Sequence, residues 1–171
     1  MSNLNFTIRL AVPGDLDKLW PMVRRAVQKM NAEGSEQWGE DYPAREDYAE
    51  DIVGGELWVA AGPGEEIYGV ALITDAVEES YRDIPWQIPG PAMVIHRMAV
   101  DPELQRSGVG AALFRHAEEL ALQKGIRAIH IDTYGKNAAM QGLILSRGFT
   151  KMGEIHLHSR PLAFPCFEKT L

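Results

Sequence analysis

The chain has 171 residues and carries 17 basic against 24 acidic side chains, a formal net charge of −7. Its length and its 46% hydrophobic content predict one compact soluble domain over residues 1–171. The acidic balance argues against a nucleic-acid partner, the lone Cys166 excludes an internal disulfide, and no stretch approaches the roughly 20 apolar residues of a membrane span. We therefore expect a cytoplasmic protein with neither nucleic-acid nor membrane partners.

The first third of the chain predicts one strand and two helices. Apolar and polar residues alternate over 6–10, as in a half-buried strand. Apolar residues then recur at helical spacing over 16–30, and Pro21 within that run is expected to kink or delay the helix. Residues 31–44 are polar and irregular, and a short helix ended by two glycines is expected over 46–53.

The rest of the chain alternates strands and helices. Strands are expected at 57–61, 67–74, 93–100, 128–133, 151–157 and 165–169, and helices at 108–124 and 137–147. The first two of these strands predict an antiparallel hairpin, while the strand–helix–strand unit over 93–133 implies a right-handed parallel crossover. The predicted fold class is α/β, an α+β mixed sheet with helices on both faces. The connection over 77–91 is long enough to be functional or mobile.

The segment Gln105–Ala111, between a predicted strand and the helix after it, predicts an anion site. Gly108 and Gly110 let the backbone turn tightly and approach a ligand closely. The next amides belong to a helix N-terminus, whose free N–H groups and dipole favour negative charge. Arg106 adds a fixed positive charge and Ser107 a hydroxyl donor. The expected ligand is a phosphate or a diphosphate.

Two other phosphate motifs fit this segment less well. A dinucleotide fingerprint needs a third glycine where Leu113 stands, and seven residues (101–107) separate the strand from Gly108. Asp132 does lie at a suitable distance for that motif, so a nucleotide-dependent oxidoreductase stays as an alternative that NAD binding would support. A nucleoside-triphosphate loop is excluded because the chain has no Gly-x-x-x-x-Gly-Lys-Ser/Thr.

Three parts of the sequence closely resemble the GNAT superfamily of N-acetyltransferases. They are Ile95–Pro102, Gln105–Gly110, which matches the superfamily's Gln/Arg-x-x-Gly-x-Gly/Ala motif, and Asn137 with Arg147–Phe149. The resemblance covers nearly the whole chain and is strongest from 93 to 149. It implies a GNAT-like acyl-CoA N-acyltransferase fold, acetyl-CoA as co-substrate without a metal, and a homodimer as a possible assembly.

The resemblance also implies where the coenzyme binds. Acetyl-CoA would occupy a V-shaped gap between the strands at 93–100 and 128–133, with its pantetheine arm pairing like an extra strand along the first of them. The residues expected to contact it are Met98, Ala99, Val100, Gln105, Arg106, Ser107, Gly108, Val109, Gly110, Ala111 and Asn137.

The implied reaction is direct attack of a primary amine, on a small molecule or a peptide, on the thioester. His96 is the candidate base because imidazole titrates near neutrality, with a buried structural histidine as the alternative. It stands two residues before Met98, so strand parity predicts both side chains on one face. Many GNAT members have, where this chain has Ile144, a tyrosine that protonates the leaving sulfur. Tyr134 is the candidate substitute for that acid, and packing on a loop is its alternative role.

The acceptor site is the least specified part of the sequence. Trp38, Asp41 and Tyr42 lie in the region that helps to build the acceptor pocket of the resembled family, and simple packing is their alternative role. Asp132 is expected to orient a base or to bind a cationic amine, unless it pairs with an arginine. Two further functions stay open: a transferase that uses another acyl-CoA, and a coenzyme-A-binding sensor without turnover.

Overall fold

The computed structural model describes residues 4–171, which form seven strands and four α-helices. The strands are β1 (Thr7–Leu10), β2 (Leu57–Ala61), β3 (Ile67–Thr74), β4 (Met93–Val100), β5 (Ala128–Asp132), β6 (Thr150–Ile155) and β7 (Phe164–Thr170). The helices are α1 (Leu16–Ala32), α2 (Arg45–Val53), α3 (Val109–Gln123) and α4 (Ala138–Ser146). None of the helices in this range is long and apolar enough to cross a membrane.

The strands form one mixed sheet in the order β1-β2-β3-β4-β5-β7-β6. Every neighbouring pair is antiparallel except β4 and β5, which run parallel because α3 carries the chain back between them. The predicted β2–β3 hairpin and the predicted parallel crossover are both confirmed. The single parallel pair therefore lies at the centre of the sheet, and this is where the site forms.

Helices cover both faces of the sheet, as expected. On one face, Leu113 and Phe114 of α3 and Ile144 of α4 pack on Met93 and Ile95 of β4. On the other face, α1 and α2 bury a second apolar cluster against β2 and β3, including the side chains of Leu19, Val23, Tyr48, Val59 and Val70. Burial of these apolar side chains on each face of the sheet is the main stabilising contribution to this arrangement.

Helix α1 differs from its prediction at Pro21. The helix begins at Leu16 and runs through Pro21, so the expected delay does not occur. Proline removes one backbone hydrogen bond in the early turns, but the helix buries Leu19, Met22 and Val23 on the sheet. The tertiary packing of this face outweighs the local cost of the proline.

Candidate active site

The two central strands separate after only three residue pairs. Met93–Ile95 of β4 pair with residues 129–131 of β5. Beyond that point the chain after β5 stays paired with β7 and its preceding residues. The backbone N–H of Thr133 donates to the Pro165 carbonyl at 3.2 Å, and that of Gly135 donates to the Ala163 carbonyl at 3.1 Å. From His96 to Val100, the edge of β4 that faces β5 has no strand partner in the described chain. The structure thus contains the V-shaped gap that the resemblance implies.

A β-bulge at Arg97 changes which way the β4 side chains point. Arg97 has a left-handed φ of 49°, and the β3–β4 register shifts there by one residue. Met98 therefore packs into the cluster beneath α3, whereas His96 lies near Glu78 on the opposite face. The prediction that His96 and Met98 share a face is wrong because the extra residue breaks the alternation.

The loop before α3 forms an anion-binding geometry. Gly108 has a φ of 91° and is the residue that precedes the helix. The first helical amide with an acceptor is that of Ala112, which donates to the Gly108 carbonyl at 3.0 Å. The amides of residues 109–111 thus have no acceptor in the preceding turn of the helix and lie at the positive end of its dipole. Arg106, also left-handed at a φ of 67°, is exposed beside them.

Helix α1 braces this loop from the side. Arg25 Nη2 donates to Asp101 Oδ2 at 2.9 Å, and Asp101 Oδ1 accepts the backbone N–H of Glu103 at 3.0 Å. Lys29 Nζ donates to Gln105 Oε1 at 3.1 Å. These contacts hold both ends of the turn between β4 and α3, and sequence spacing gave no signal for them.

Two glycines allow the start of α3 to lie close to its neighbours. A Cβ at Gly69 would lie 2.7 Å from Val109 Cγ1, so a side chain there would push the helix off β3. A Cβ at Gly110 would lie 3.1 Å from Leu143 Cδ2 and 3.4 Å from Met98 Cε. Gly110 therefore serves close packing between α3, α4 and β4, while Gly108 supplies the left-handed turn.

Asn137 starts α4 on the other side of the gap. Its Oδ1 accepts the backbone N–H of Met140 at 3.1 Å, which confirms the predicted cap. Its Nδ2 donates to Gln37 Oε1 at 2.9 Å, and both residues line the cavity described next. Asn137 thereby links α4 to the loop that follows α1.

A cavity of about 610 Å³ opens at the gap. Its walls come from the loop after α1, the end of α2, β3, β4, the end of β5, the start of α4, the loop between β6 and β7 and the connection before β4. Five carboxylates line it against one guanidinium, that of Arg97: Glu50, Asp51, Glu56, Glu78 and Asp132. In the described chain, Arg97–Asp51 is the only salt bridge between a carboxylate of this set and an arginine or lysine. The cavity therefore favours a cationic ligand.

Arg97 is the charged anchor of the cavity wall. Its Nε and Nη2 donate to both Asp51 carboxylate oxygens, at 2.8 and 2.6 Å, and its Nη1 donates to the Tyr42 hydroxyl at 3.1 Å. The Tyr48 hydroxyl donates to the Arg97 carbonyl at 3.3 Å. These contacts tie the β4 bulge to α2 and to the loop after α1.

His96 lines the cavity in the form that a base requires. Burial lowers the pKa of His96, although the Glu78 carboxylate opposes that shift from 3.7 Å away. The imidazole is therefore neutral near pH 7 and can accept a proton. About a fifth of the His96 side-chain surface is exposed, which leaves it accessible from the cavity.

Asp132 ends β5 at the mouth of the gap. Burial raises the pKa of Asp132 to about 6, and a hydrogen bond donated by the Tyr81 hydroxyl opposes that rise. The predicted alternative of an arginine partner is wrong, since no salt bridge in residues 4–171 involves Asp132. The next residue, Thr133, is 1% exposed, lines the same cavity and has an Oγ1 without a hydrogen-bond partner within the described chain.

Tyr134 lies outside the cavity. Its hydroxyl donates to Glu36 Oε1 at 2.7 Å and accepts the backbone N–H of Leu162 at 3.0 Å. Burial, reinforced by Glu36, raises the pKa of Tyr134 and makes the phenol a weaker acid. This placement favours a structural role for Tyr134 over the acid role considered from the sequence. Ile144, at the position of the family's usual tyrosine, is fully buried.

The three candidates in the loop after α1 separate in the structure. Trp38 and Tyr42 line the cavity, and the Tyr42 ring stacks on His158 with centroids 3.9 Å apart. Asp41 lies outside it and binds both terminal nitrogens of Arg160 at 2.8 Å. We therefore expect Asp41 to fix this loop rather than to touch the acceptor.

Several wall residues were not assigned to the site from the sequence. They are Glu50, Asp51, Glu56, Glu78 and Thr133. Gly69, which lies outside the cavity wall, was not singled out either. The wall residues come from several elements and share no motif spacing, so only the unusual length of the 77–91 connection signalled any of them. In the described chain no group of three or more His, Cys, Asp or Glu side chains is placed to hold a metal ion.

Comparison with known proteins agrees with this geometry. The sequence model of the family described as Acetyltransferase (GNAT) family matches residues 22–149. The chain therefore belongs to the GNAT family and is an acetyltransferase of that family, whose members use acetyl-CoA. The residues that resembled this family in the sequence thus identified it correctly.

Individual relatives extend the comparison. The chain is 30% identical over 106 residues to aminoglycoside N(6')-acetyltransferase type 1 of Klebsiella aerogenes, a match that covers 61% of this chain and 65% of that relative's length. The structure of a GNAT-family acetyltransferase from Streptococcus agalactiae 2603 superposes with a TM-score of 0.78 at 26% identity, covering 99% of both chains. A Staphylococcus aureus Mu50 structure, proposed to be an acetyltransferase, gives 0.74 at 30% identity, covering 96% of this chain and 98% of the other.

Proposed function

We propose that this protein transfers the acetyl group of acetyl-CoA to a primary amine of a small molecule that carries more than one positive charge. The observation that carries the proposal is the excess of carboxylates around the cavity at the β4–β5 gap. A neutral or anionic acceptor would gain nothing from Glu50, Glu56 and Glu78. The distant similarity to an aminoglycoside acetyltransferase supports the same substrate class, because aminoglycosides carry several ammonium groups.

The coenzyme would lie along the open edge of β4. Its diphosphate would bind the amides of residues 109–111, with Arg106 as a counter-charge. Its pantetheine arm would pair with the free β4 edge at Met98–Val100, which leaves the thioester at the point where β4 and β5 separate. A backbone N–H near Met98 would then donate to the oxyanion.

The chemistry would be a single displacement through a tetrahedral intermediate. The acceptor ammonium gives one proton to the neutral imidazole of His96 and becomes nucleophilic. The amine nitrogen bonds to the thioester carbonyl carbon, the second amine proton goes to solvent, and the C–S bond breaks. Coenzyme A leaves as a thiolate; with a thiol pKa of about 8–9 it needs little assistance, which is consistent with Ile144 in place of an acidic tyrosine.

A thiol-release assay with acetyl-CoA tests this function. The panel compares monoamines, diamines, polyamines, aminoglycosides, amino acids and peptides, with propionyl-CoA as an alternative donor. We expect the highest kcat/KM for acceptors with two or more ammonium groups. If coenzyme A binds in calorimetry but acetyl-CoA releases no thiol in the presence of any amine, the proposal is overturned and a sensor is favoured.

Paired substitutions test the electrostatic argument itself. Glu50→Gln with Glu56→Gln should raise KM for a polyamine about tenfold, because two carboxylates that face the cation are neutralised. KM for a monoamine and for acetyl-CoA should stay within twofold. Glu46→Gln is the control, because Glu46 lies in the exposed first turn of α2, the helix that carries Glu50, and outside the cavity.

A further inference from the structure

The connection between β3 and β4 is fastened to the sheet by a buried polar latch. We call residues 77–91 the strap. Glu168 of β7 accepts the strap's Gln87 N–H at 3.0 Å and lies 2.9 Å from His130 Nε2 of β5. The Trp86 ring stacks on the His130 ring with centroids 3.6 Å apart and an angle of 12°. Although the strap is long, its middle is thus held by buried groups.

These contacts of Glu168 and His130 with the strap place the Tyr81 side chain at the site. Tyr81 is 3% exposed, its carbonyl accepts the Trp86 indole N–H at 3.1 Å, and its ring meets the Trp86 ring edge-on. Behind it, Ile84 packs so close to Gly153 of β6 that a Cβ at Gly153 would lie 2.8 Å from Ile84 Cδ1. The Tyr81 hydroxyl has one acceptor, Oδ2 of Asp132. The partner that this buried hydroxyl takes is thus a cavity-lining carboxylate rather than a backbone carbonyl.

The surroundings of Asp132 favour a neutral carboxyl, apart from this hydrogen bond. The titratable and charged groups around it come from five parts of the chain. They are Tyr81 and Glu78 of the strap, His96 and Arg97 of β4, Cys166 of β7, Tyr42 of the loop after α1, and His158 of the loop between β6 and β7. Arg97 is engaged by Asp51, and Glu78 is a like charge. Tyr81 therefore supplies the contact that keeps Asp132 ionised near neutral pH.

We propose that Tyr81 is a positioning residue, which holds the Asp132 carboxylate ionised and aimed into the gap so that it binds the acceptor ammonium that His96 deprotonates. The ammonium would take the place of solvent on the carboxylate oxygen that Tyr81 leaves free. The inference rests on the proposed function, since its ligand is the acceptor amine. It gives the strap, which lies some 50 residues from Asp132 in sequence, a direct part in acceptor binding.

Tyr81→Phe tests the proposal because it removes only the hydroxyl. Without that donor the pKa of Asp132 rises, so the acidic limb of kcat/KM for the amine should move to higher pH by about 1 to 1.5 units. KM for the amine at pH 6.5 should rise about three- to tenfold. The kcat above pH 8 and the KM for acetyl-CoA should be unchanged. Tyr68→Phe, which removes a hydroxyl that donates to the exposed Glu66 at 3.1 Å, is the control and should move none of these values.

A second variant separates Asp132 from His96, which titrates in the same range. In an Asp132→Asn background, adding Tyr81→Phe should change neither the remaining acidic limb nor the KM for the amine by more than twofold. A further shift in that background would overturn the proposal. So would a Tyr81→Phe enzyme that loses thermal stability while its acidic limb stays in place, because that is the behaviour of a purely structural tyrosine.

The two proposals fail in different ways. Turnover of amines by the unmodified enzyme tests the proposed function alone. If that turnover is present and Tyr81→Phe leaves the pH profile unchanged, only the role of Tyr81 is overturned. If no amine is turned over, both proposals fall, whatever the substitutions do to binding.

Discussion

The two sides of the gap are built in different ways. The coenzyme side comes from one continuous segment, where β4 ends, the loop turns at Gly108 and α3 begins. The acceptor side is assembled from α2, the loop after α1, the strap and the end of β5. Backbone amides do the expected binding on the first side, and scattered side chains on the second. Local backbone chemistry can be inferred from adjacent residues, whereas a composite wall depends on tertiary packing.

The largest effect on either side of the gap is expected from a substitution in the coenzyme loop. Gly108→Asp should weaken coenzyme A binding more than 100-fold in calorimetry, because it strains a φ of 91° and puts a negative charge beside the expected diphosphate. Gly125→Asp is the control, since Gly125 has a similar φ of 71° at the other end of α3. Equal loss of affinity in both variants would show that backbone strain, rather than the anion site, explains the effect.

On the acceptor side, loss of the proposed base should affect turnover and spare the coenzyme. His96→Ala should lower kcat about 100-fold or more with coenzyme A affinity within twofold, because the imidazole acts only on the amine. Steady-state kinetics and calorimetry measure the two quantities. His156→Ala, at an exposed position after β6, should change neither. A kcat for His96→Ala equal to that of the unmodified enzyme would remove His96 from the mechanism.

Arg97, in the cavity wall, should contribute to the free energy of unfolding as well as to acceptor binding. Arg97→Met leaves the Asp51 carboxylate, 9% exposed, without its guanidinium and should lower the free energy of unfolding by about 3 kcal/mol. Urea denaturation measures this loss. Arg45→Met removes the exposed pair with Asp17 and should cost no more than about 0.5 kcal/mol. Similar costs for the two variants would contradict the assigned burial of the Arg97–Asp51 pair.

The smallest effect is expected where the structure moves a sequence candidate out of the site. Tyr134→Phe should leave kcat within threefold and lower the free energy of unfolding by about 1 kcal/mol, because the hydroxyl bridges Glu36 and the Leu162 amide. Kinetics together with urea denaturation check both numbers. A fall in kcat of tenfold or more would restore Tyr134 as the proton donor to the leaving thiolate.

The order and bounds of the elements could be predicted closely, because periodicity and glycine stops are local signals. Helix α2 was expected over 46–53 and occupies Arg45–Val53; β3 was expected over 67–74 and occupies Ile67–Thr74. The family and the coenzyme loop followed from contiguous motifs. Parity failed at Arg97, since a bulge depends on how two strands pair and leaves no mark in one strand's own sequence.

Side-chain roles on the acceptor side needed the fold. Asp132 and Tyr134 are two residues apart, yet one lines the cavity and the other is tied to Glu36, because β5 ends between them. Glu78 and Tyr81 could be placed only once the strap was seen docked on His130 and Glu168. No pattern in the strap itself indicates which strand it covers.

The left-handed residue at position 97 also bears on how such enzymes can be re-engineered. Up to His96 the β4 side chains alternate, with Met93 and Ile95 toward α3 and His96 toward Glu78; after the bulge, Met98 again turns toward α3. A segment 93–100 taken from a relative without this bulge would keep strict alternation and so place the side chain at position 98 on the face of His96 instead of under α3. A chimera designed for new acceptor selectivity should therefore carry residue 97 and its Asp51 counterpart as one exchangeable unit.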